Sequence, residues 1–328
     1  MKHNTYIIAE IGINHEGSLH KCIDMVYAAG AANVNAIKLQ TIDPDKNYAR
    51  DTESYKLFQK SRLSKASTKK VFQAAKECKL DYFTTVGDIE TAKWVKKLNP
   101  SAWKISSGLF THIPLIEFLS EEKQDLYLST GLTNSNELDF VIKKLRKLKK
   151  KNFSILHCIS QYPLKKEESS LSSITRLKQK YNVNIGYSDH TIGTYASCLA
   201  ICLGAKIIEK HFTFDRNRKG FDHKVSLDYL GLKKLVKEIR LTESMLNYRK
   251  PEGLDRDINR KKYLRVLVAE KKIVKGELFT KRNVSIKRVS DNTNGISPLF
   301  YDDIIGRKSK GLYKKDSKIN KVEIKNGY

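Results

Sequence analysis

Short apolar runs alternate with amphipathic stretches along most of the chain. The runs are YIIAEIG (6–12), AIKLQ (36–40), DYFTT (81–85), AWKISS (102–107), DLYLST (125–130), FSILHC (153–158), NIGYSD (184–189) and AKIIEKHF (205–212). Their β-branched and aromatic content predicts strands. Between them, segments such as HKCIDMVYAAGAA, TKKVFQAAKECK and YASCLAICLGA repeat apolar residues at helical spacing. Strand–helix repetition implies a parallel sheet joined by crossover helices. Eight such strands between residues 6 and 212 predict an α/β fold closed into a (β/α)8 TIM barrel. No GxGxxG follows the first strand, which argues against a dinucleotide-binding sheet.

A helical pattern near 228–246 completes the ring, giving a barrel domain over 1–248. The stretch RKPEGLDRDINRKK is polar and carries Pro and Gly, so residues 249–263 read as a linker. Residues 264–328 then form a small module of short strands, with a KGE turn at 275–277. A module this small has little core of its own, so the expectation is that it packs on a barrel.

Composition narrows the class. The 328 residues are 40% hydrophobic and 30% charged, a globular balance. No apolar run approaches the roughly 20 residues of a membrane span, and the N-terminus lacks the apolar core of a secretory signal. The expectation is therefore a cytoplasmic protein with no membrane partner. The five cysteines include no CxxC pair, which disfavours both a disulfide framework and a thiolate zinc site. Cys198 and Cys202 sit four apart in an apolar helix and read as core packing. The net charge of +26 would attract anions, but the densest basic run, Lys143–Lys151, overlies Leu138, Val141, Ile142, Leu145 and Leu148 at helical spacing. Its lysines read as a solvated face. No nucleic-acid-binding motif accompanies them, so no nucleic-acid partner is expected.

The candidate chemistry lies at the strand ends, where barrels carry their sites. In chain order these ends hold Glu10, followed by Asn14 and His15; Lys38 and Gln40; Thr84 and Thr85; Lys104, Ser106 and Ser107; Ser129 and Thr130; His157; Ser188, Asp189 and His190; Glu209 and His211. Strands buried between a barrel interior and its helices are otherwise apolar, so polar endings on all eight point to a site. Two lysines with serine and threonine hydroxyls and the turn at Gly131 suit a phosphate together with a carboxylate. His190 and His211, on neighbouring strands beside Asp189 and Glu209, suit a divalent metal with open positions. His223 is a weaker ligand candidate, and Asp222 beside it suits a substrate hydrogen bond. His3, His20 and His112 read as surface or loop residues.

The segments IAEIGINHEGSL (8–19), IKLQT (37–41), WKISSG (103–108), LSTG (128–131), LHC…YP (156–163), GYSDHT (186–191) and EKHFT (209–213) together resemble the sialic acid synthase family. That family includes N-acetylneuraminate, legionaminic acid and pseudaminic acid synthases. VAEKKIVKGELFTKRNVSIKR resembles its C-terminal antifreeze-like SAF domain. The resemblance implies condensation of phosphoenolpyruvate with an open-chain N-acyl amino sugar, such as N-acetylmannosamine, with release of phosphate by C–O cleavage. It also implies a homodimer in which each SAF domain covers the partner's site. By motif, Lys38, Thr85, Lys104, Ser107, Ser129 and Ser188 would hold phosphoenolpyruvate. His190 and His211 would ligate manganese, magnesium or cobalt, and Glu10 would act on the reacting carbons. Gln40, Tyr162, Asp222 and the SAF residue Arg288 would face the sugar.

Three positions depart from the family pattern. Leu109 stands where relatives carry an acid, Val289-Ser290 replaces Pro-Gly after Arg288, and Ile-Ser-Gln fills the stretch between Cys158 and Tyr162. All three concern the sugar side. They leave open a 6-deoxy-2,4-diacetamido acceptor, a phosphorylated sugar, or a family member turned binding or assembly protein.

Overall fold

Eight parallel strands pair in strict sequence order and close on themselves, β1 joining β8. They are β1 (Tyr6–Gly12), β2 (Ala36–Thr41), β3 (Asp81–Val86), β4 (Ala102–Ile105), β5 (Asp125–Ser129), β6 (Phe153–Cys158), β7 (Asn184–Asp189) and β8 (Ile207–His211). This computed structural model describes residues 5–246 and 254–324. The chain divides into two units, Met1–Asn247 and Tyr248–Tyr328.

Side-chain alternation along each strand sorts the barrel into two cores. Outward residues such as Ile7, Ala9 and Ile11 pack with Trp103, Ile105, Ile155 and the apolar stripes of the helices. Inward residues Ile8, Ala36, Phe83, Ala102, Tyr127, Leu156 and Ile207 form a separate apolar plug. Gly186 lets the plug close, because a Cβ there would stand 2.8 Å from Ile207 Cβ. One layer further along the same inward faces, the sequence turns polar. The plug shuts off one end of the barrel, so the polar layer opens only at the C-terminal ends of the strands.

The helix starts at that end are held by capping side chains. Ser18, Ser64 and Asp88 each accept a hydrogen bond from the backbone N–H three residues on, and Asn134 with Glu137 forms a reciprocal capping box. Losing one such cap costs about 1 kcal/mol. The helix Tyr229–Leu246 occupies the place expected for the one that completes the ring.

The second unit contains a helix, Leu254–Tyr263, and an antiparallel pair, β9 (Val266–Ala269) and β10 (Val284–Lys287). Its core holds Leu267, Ile273, Phe279, Val284, Ile296, Ile304, Tyr313 and Ile319. Gly276 takes a left-handed conformation, φ +88°, in the turn expected at 275–277. The expected linker is therefore helical over its latter part, and residues 249–253 lie outside the described residues. The helix carries Arg260, Lys261 and Lys262 in its last turn, where cations complement the helix dipole. A pattern so polar hides a helix from hydrophobic periodicity.

Two other expectations give way. Cys202 is exposed and Cys198 only half-buried, because the helix Tyr195–Cys202 turns Ala196, Ser197, Ala200 and Ile201 inward instead. Lys150 belongs to the basic run but is buried, its ammonium donating to the carbonyls of Glu122 and Gln124 at 2.6 Å each. His20 is exposed and His112 caps a helix start, whereas His3 lies outside the described residues. Among the described residues no helix is long and apolar enough to cross a membrane.

Candidate active site

The polar layer above the plug is a compact charged cluster. Glu10 and Lys38 are register partners on β1 and β2, and Glu10 is also opposite His211 on β8. The Lys38 ammonium lies 2.9 Å from Glu10 Oε1 and 3.6 Å from Glu209 Oε2, and it donates to Thr85 Oγ1 at 3.2 Å. Lys104 reaches the other oxygen of Glu209 at 3.3 Å, and the Ser188 hydroxyl donates to that same oxygen at 2.8 Å. Gln40 donates to Glu10 Oε1 at 2.9 Å. Glu10, Lys38, Lys104 and Glu209 are all buried.

Burial sets the protonation logic. It raises the Glu10 carboxyl above the ordinary range, because the opposing pull of Lys38 does not fully compensate and Glu209 adds repulsion. Burial also works against Glu209, but Lys104 and Lys38 together hold it below the usual range. For Lys38, burial favours the neutral amine, yet Glu10 and Glu209 outweigh it and raise its pKa. Lys104 has its pKa lowered by burial, with only part returned by Glu209. Such a buried cluster is a poor source of stability, since desolvation offsets its internal attraction. Its value lies in concentrating charge where a ligand can use it.

Around this cluster stand the remaining predicted residues. Ser107 follows β4 and accepts from the Gly131 N–H at 2.9 Å. A Cβ on Gly131 would meet Ser160 Oγ at 2.3 Å and Ser107 Oγ at 2.8 Å, so glycine is required for that approach. Ser129, on β5, is buried. His190 and His211 face one another with ring centroids 5.5 Å apart, and Tyr162 lies over them at 4.1 Å and 6.0 Å. Asp222 Oδ2 approaches His211 Nδ1 to 3.5 Å, too far for a good hydrogen bond. The structure thus brings together Glu10, Lys38, Gln40, Thr85, Lys104, Ser107, Ser129, Tyr162, Ser188, His190, His211 and Asp222. Arg288 belongs to the second unit, where it is exposed with its guanidinium 5.2 Å from the Tyr263 ring centroid.

Asp189, His157 and His223 are not part of the site. Asp189 points outward, where it pairs with buried Lys210 at 2.9 Å and accepts from Ser197 Oγ at 2.6 Å. His157 stacks on Tyr187 and bonds the Ser169 carbonyl at 2.8 Å. His223 bonds Thr213 and Glu16, both at 2.8 Å. Strict alternation explains the first two, since Ser188 and His190 face inward and Asp189 between them cannot. Cys158, which the strand pattern did not single out, does face in, 3.7 Å from Ser107 Oγ and 3.9 Å from His190 Nδ1. Glu209 is more central than expected, joining both lysines. Its spacing of two from His211 was the available signal.

Several buried polar atoms in this layer have no hydrogen-bond partner: Glu10 Oε2, Ser129 Oγ, Glu209 Oε2 and His211 Nδ1. Folded proteins leave few such atoms unpaired. Their gathering in one barrel mouth marks a place made for a polar ligand.

Residues 25–250 match the NeuB family and residues 265–321 match the SAF domain. The chain belongs to the NeuB family. It is 33% identical to the N,N'-diacetyllegionaminic acid synthase of Campylobacter jejuni, covering 96% of this chain and 98% of the relative. It is 32% identical to the pseudaminic acid synthase of the same organism, covering 93% and 92%. The solved N-acetylneuraminic acid synthetase of Leptospira borgpetersenii superposes with a TM-score of 0.74 at 31% identity, covering 80% of this chain and 92% of that one. This family member therefore has the barrel and SAF architecture that its motifs implied.

Proposed function

We propose that the protein condenses phosphoenolpyruvate with an open-chain N-acyl amino sugar, giving a nine-carbon 2-keto acid and phosphate. The observation that carries this reading is the set of buried polar atoms without a hydrogen-bond partner, on Glu10, Ser129, Glu209 and His211, beside the buried Lys38, Lys104 and His190 at one barrel mouth.

Lys38 and Lys104 supply point charges for the phosphate and carboxylate of phosphoenolpyruvate, and the hydroxyls of Thr85, Ser107, Ser129 and Ser188 supply directed hydrogen bonds. The new bond joins C3 of phosphoenolpyruvate to the sugar aldehyde carbon. The aldehyde oxygen takes up a proton and becomes a hydroxyl. Water adds its oxygen to C2, the bond between C2 and the bridging oxygen breaks, phosphate departs with that oxygen, and a ketone remains at C2. Glu10 accepts the proton that water loses, since its raised pKa brings it toward neutrality, where a general base works best. The lysines stabilise the departing phosphate. Gln40 orients Glu10, and Tyr162 and Asp222 border the acceptor.

The donor set fits a divalent cation. The His190 Nδ1–H donates to the Ile159 carbonyl at 2.8 Å, which leaves Nε2 with its lone pair. His211 is held well below the usual histidine pKa by burial first, then by His190 and Lys38, so it is neutral. Among the described residues no group of three or more His, Cys, Asp or Glu is arranged to hold a metal. His190 and His211 would thus hold manganese, magnesium or cobalt with the remaining positions left to water and substrate. When bound, such an ion would polarise the aldehyde carbonyl.

Leu109 favours a less polar acceptor. It packs against the buried cluster of Ile13, Ile42 and Phe58, and its own side chain offers no partner to a sugar hydroxyl. A 6-deoxy-2,4-diacetamido sugar matches it better than N-acetylmannosamine, in line with the names of the Campylobacter relatives. A homodimer in which Arg288 completes the partner's acceptor site belongs to the same reading. The test is phosphate release and product mass with phosphoenolpyruvate, manganese and a panel of free, deoxy and phosphorylated amino sugars. The expected product mass is the sum of phosphoenolpyruvate, acceptor and water less phosphate, with turnover lost in His211→Ala. Absence of product with every acceptor overturns the reading, and faster turnover of N-acetylmannosamine than of any deoxy sugar overturns its acceptor part.

A further inference from the structure

A cavity of about 780 Å³ opens between the first turn of the helix Lys65–Glu77 and the helix Ile89–Lys96. Of its lining residues, the condensation proposed above uses only Gln40. Leu39 and Thr41 line it. On β2, Lys38 and Gln40 face the barrel interior, so Leu39 and Thr41 face the helices. The cavity therefore lies on the helical side of the barrel wall, near the mouth. Gln40 and His15 border it, and Gln40 also donates to Glu10.

Its lining has three parts. Phe58, Leu63, Ile42 and the half-buried Trp94 give an apolar and aromatic surface, of the kind on which the C–H face of a sugar rests. Ser61, Thr68 and Thr91 are buried hydroxyls that line the same space. Each already donates its proton, to Leu57 O, Ser64 O and Asp88 Oδ2 respectively. Each keeps lone pairs to accept from a ligand hydroxyl. The third part is charge. Of the lining cations, Lys46 pairs with Glu90 and Arg62 with Asp43. Lys65, Lys93 and Lys97 remain without a carboxylate partner among the described residues, Lys65 lying 5.7 Å from the Trp94 ring centroid. Two carboxylates thus face five cations, an excess of three positive charges around one concave space.

We propose that this cavity is a second ligand site, separate from the barrel interior, that takes a phosphorylated sugar. The phosphate sits among Lys65, Lys93 and Lys97, and the sugar ring packs on Trp94 with its hydroxyls donating to Ser61, Thr68 and Thr91. The volume is within the range of small-molecule sites, roughly 300–1,000 Å³. A free sugar leaves the three ammonium groups without a counter-charge, and inorganic phosphate leaves the aromatic surface empty.

The test uses intrinsic fluorescence. The chain has two tryptophans; Trp103 is fully buried and Trp94 lines the cavity. The full-length protein is titrated with glucosamine 6-phosphate, glucosamine and inorganic phosphate, with isothermal calorimetry in parallel. The expected result is a saturable change with glucosamine 6-phosphate, binding roughly tenfold or more tighter than either fragment, and undiminished by saturating phosphoenolpyruvate. The double variant Lys93→Gln, Lys97→Gln carries its changes on an exposed helix face and keeps its thermal midpoint while losing roughly tenfold in affinity. Trp94→Phe silences the fluorescence change. Equal binding of the free and phosphorylated sugar, unchanged affinity in the double variant, or displacement by phosphoenolpyruvate each overturns the proposal. None of these outcomes depends on whether the condensation itself occurs, which His211→Ala tests separately.

Discussion

Glu16 is the residue whose loss tests how the acceptor side is held. It sits in the loop after β1, in a left-handed conformation with φ 55°. Its Oε1 accepts from Arg218 Nε at 2.7 Å and from buried His223 Nε2 at 2.8 Å, and its Oε2 accepts from Arg218 Nη2 at 2.5 Å. Lys21 approaches to 3.2 Å. These contacts fasten the segment after β8 to the segment after β1. Asp222 lies between the two anchored residues, with its N–H donating to Asn14 Oδ1 at 3.1 Å. Glu16→Gln keeps the volume and removes the charge. The Arg218 pair is half exposed, so its loss counts for little, at most about 1 kcal/mol. The bond to buried His223 adds about 1 kcal/mol. Together these are roughly 2 kcal/mol, or about 30-fold in the population of the fastened loop. The expected result is faster hydrogen exchange across 214–227 and a KM for the acceptor raised roughly 5- to 30-fold, with the KM for phosphoenolpyruvate unchanged. Burial alone would raise the Glu16 pKa, but the hydrogen bonds from Lys21, Arg218 and His223 outweigh it and hold it below the usual value. A depressed carboxyl contributes stability that is complete above its unfolded pKa, about 4.3, and is lost as pH falls through the folded value. The wild-type loop should therefore loosen only below about pH 4.3. A Glu16→Gln enzyme with wild-type acceptor KM and unchanged exchange at 214–227 would refute the reasoning.

Three further outcomes follow from other parts of the barrel. Lys210→Met strands buried Asp189 without its 2.9 Å partner, a loss of about 3–5 kcal/mol; the thermal midpoint should fall sharply and recover in part when Asp189→Leu is added. Gly131→Ala places a Cβ 2.8 Å from Ser107 Oγ and should raise the KM for phosphoenolpyruvate without unfolding the barrel; an unchanged KM separates Ser107 from that substrate. In thiol labelling of the native protein, exposed Cys202 should react first and buried Cys22 last, since burial also raises the Cys22 pKa; the reverse order, read by peptide mass, contradicts the packing of the helix Tyr195–Cys202.

The eight strands and their polar endings were determined by sequence alone. Period-two alternation with helical stretches between leaves few alternatives, and the lysine, histidine and serine endings contradict the apolar pattern that a buried strand otherwise follows. What the pattern could not decide was the neighbourhood of each ending. Asp189 and Glu209 both stand near a histidine at a strand end, Asp189 one residue before His190 and Glu209 two before His211. Only the inward or outward sense of each position sends Asp189 to Lys210 and Glu209 to Lys38 and Lys104. His157 and Lys150 were misplaced for the same reason, because the carbonyls that satisfy them belong to loops distant in sequence. The helix Leu254–Tyr263 was missed because its polar residues carry no apolar period. The cavity beside Trp94 is built from four separate stretches of chain, and no local pattern records a space between two helices. Sequence fixes the order of faces along one strand; the closure of the barrel decides which faces meet.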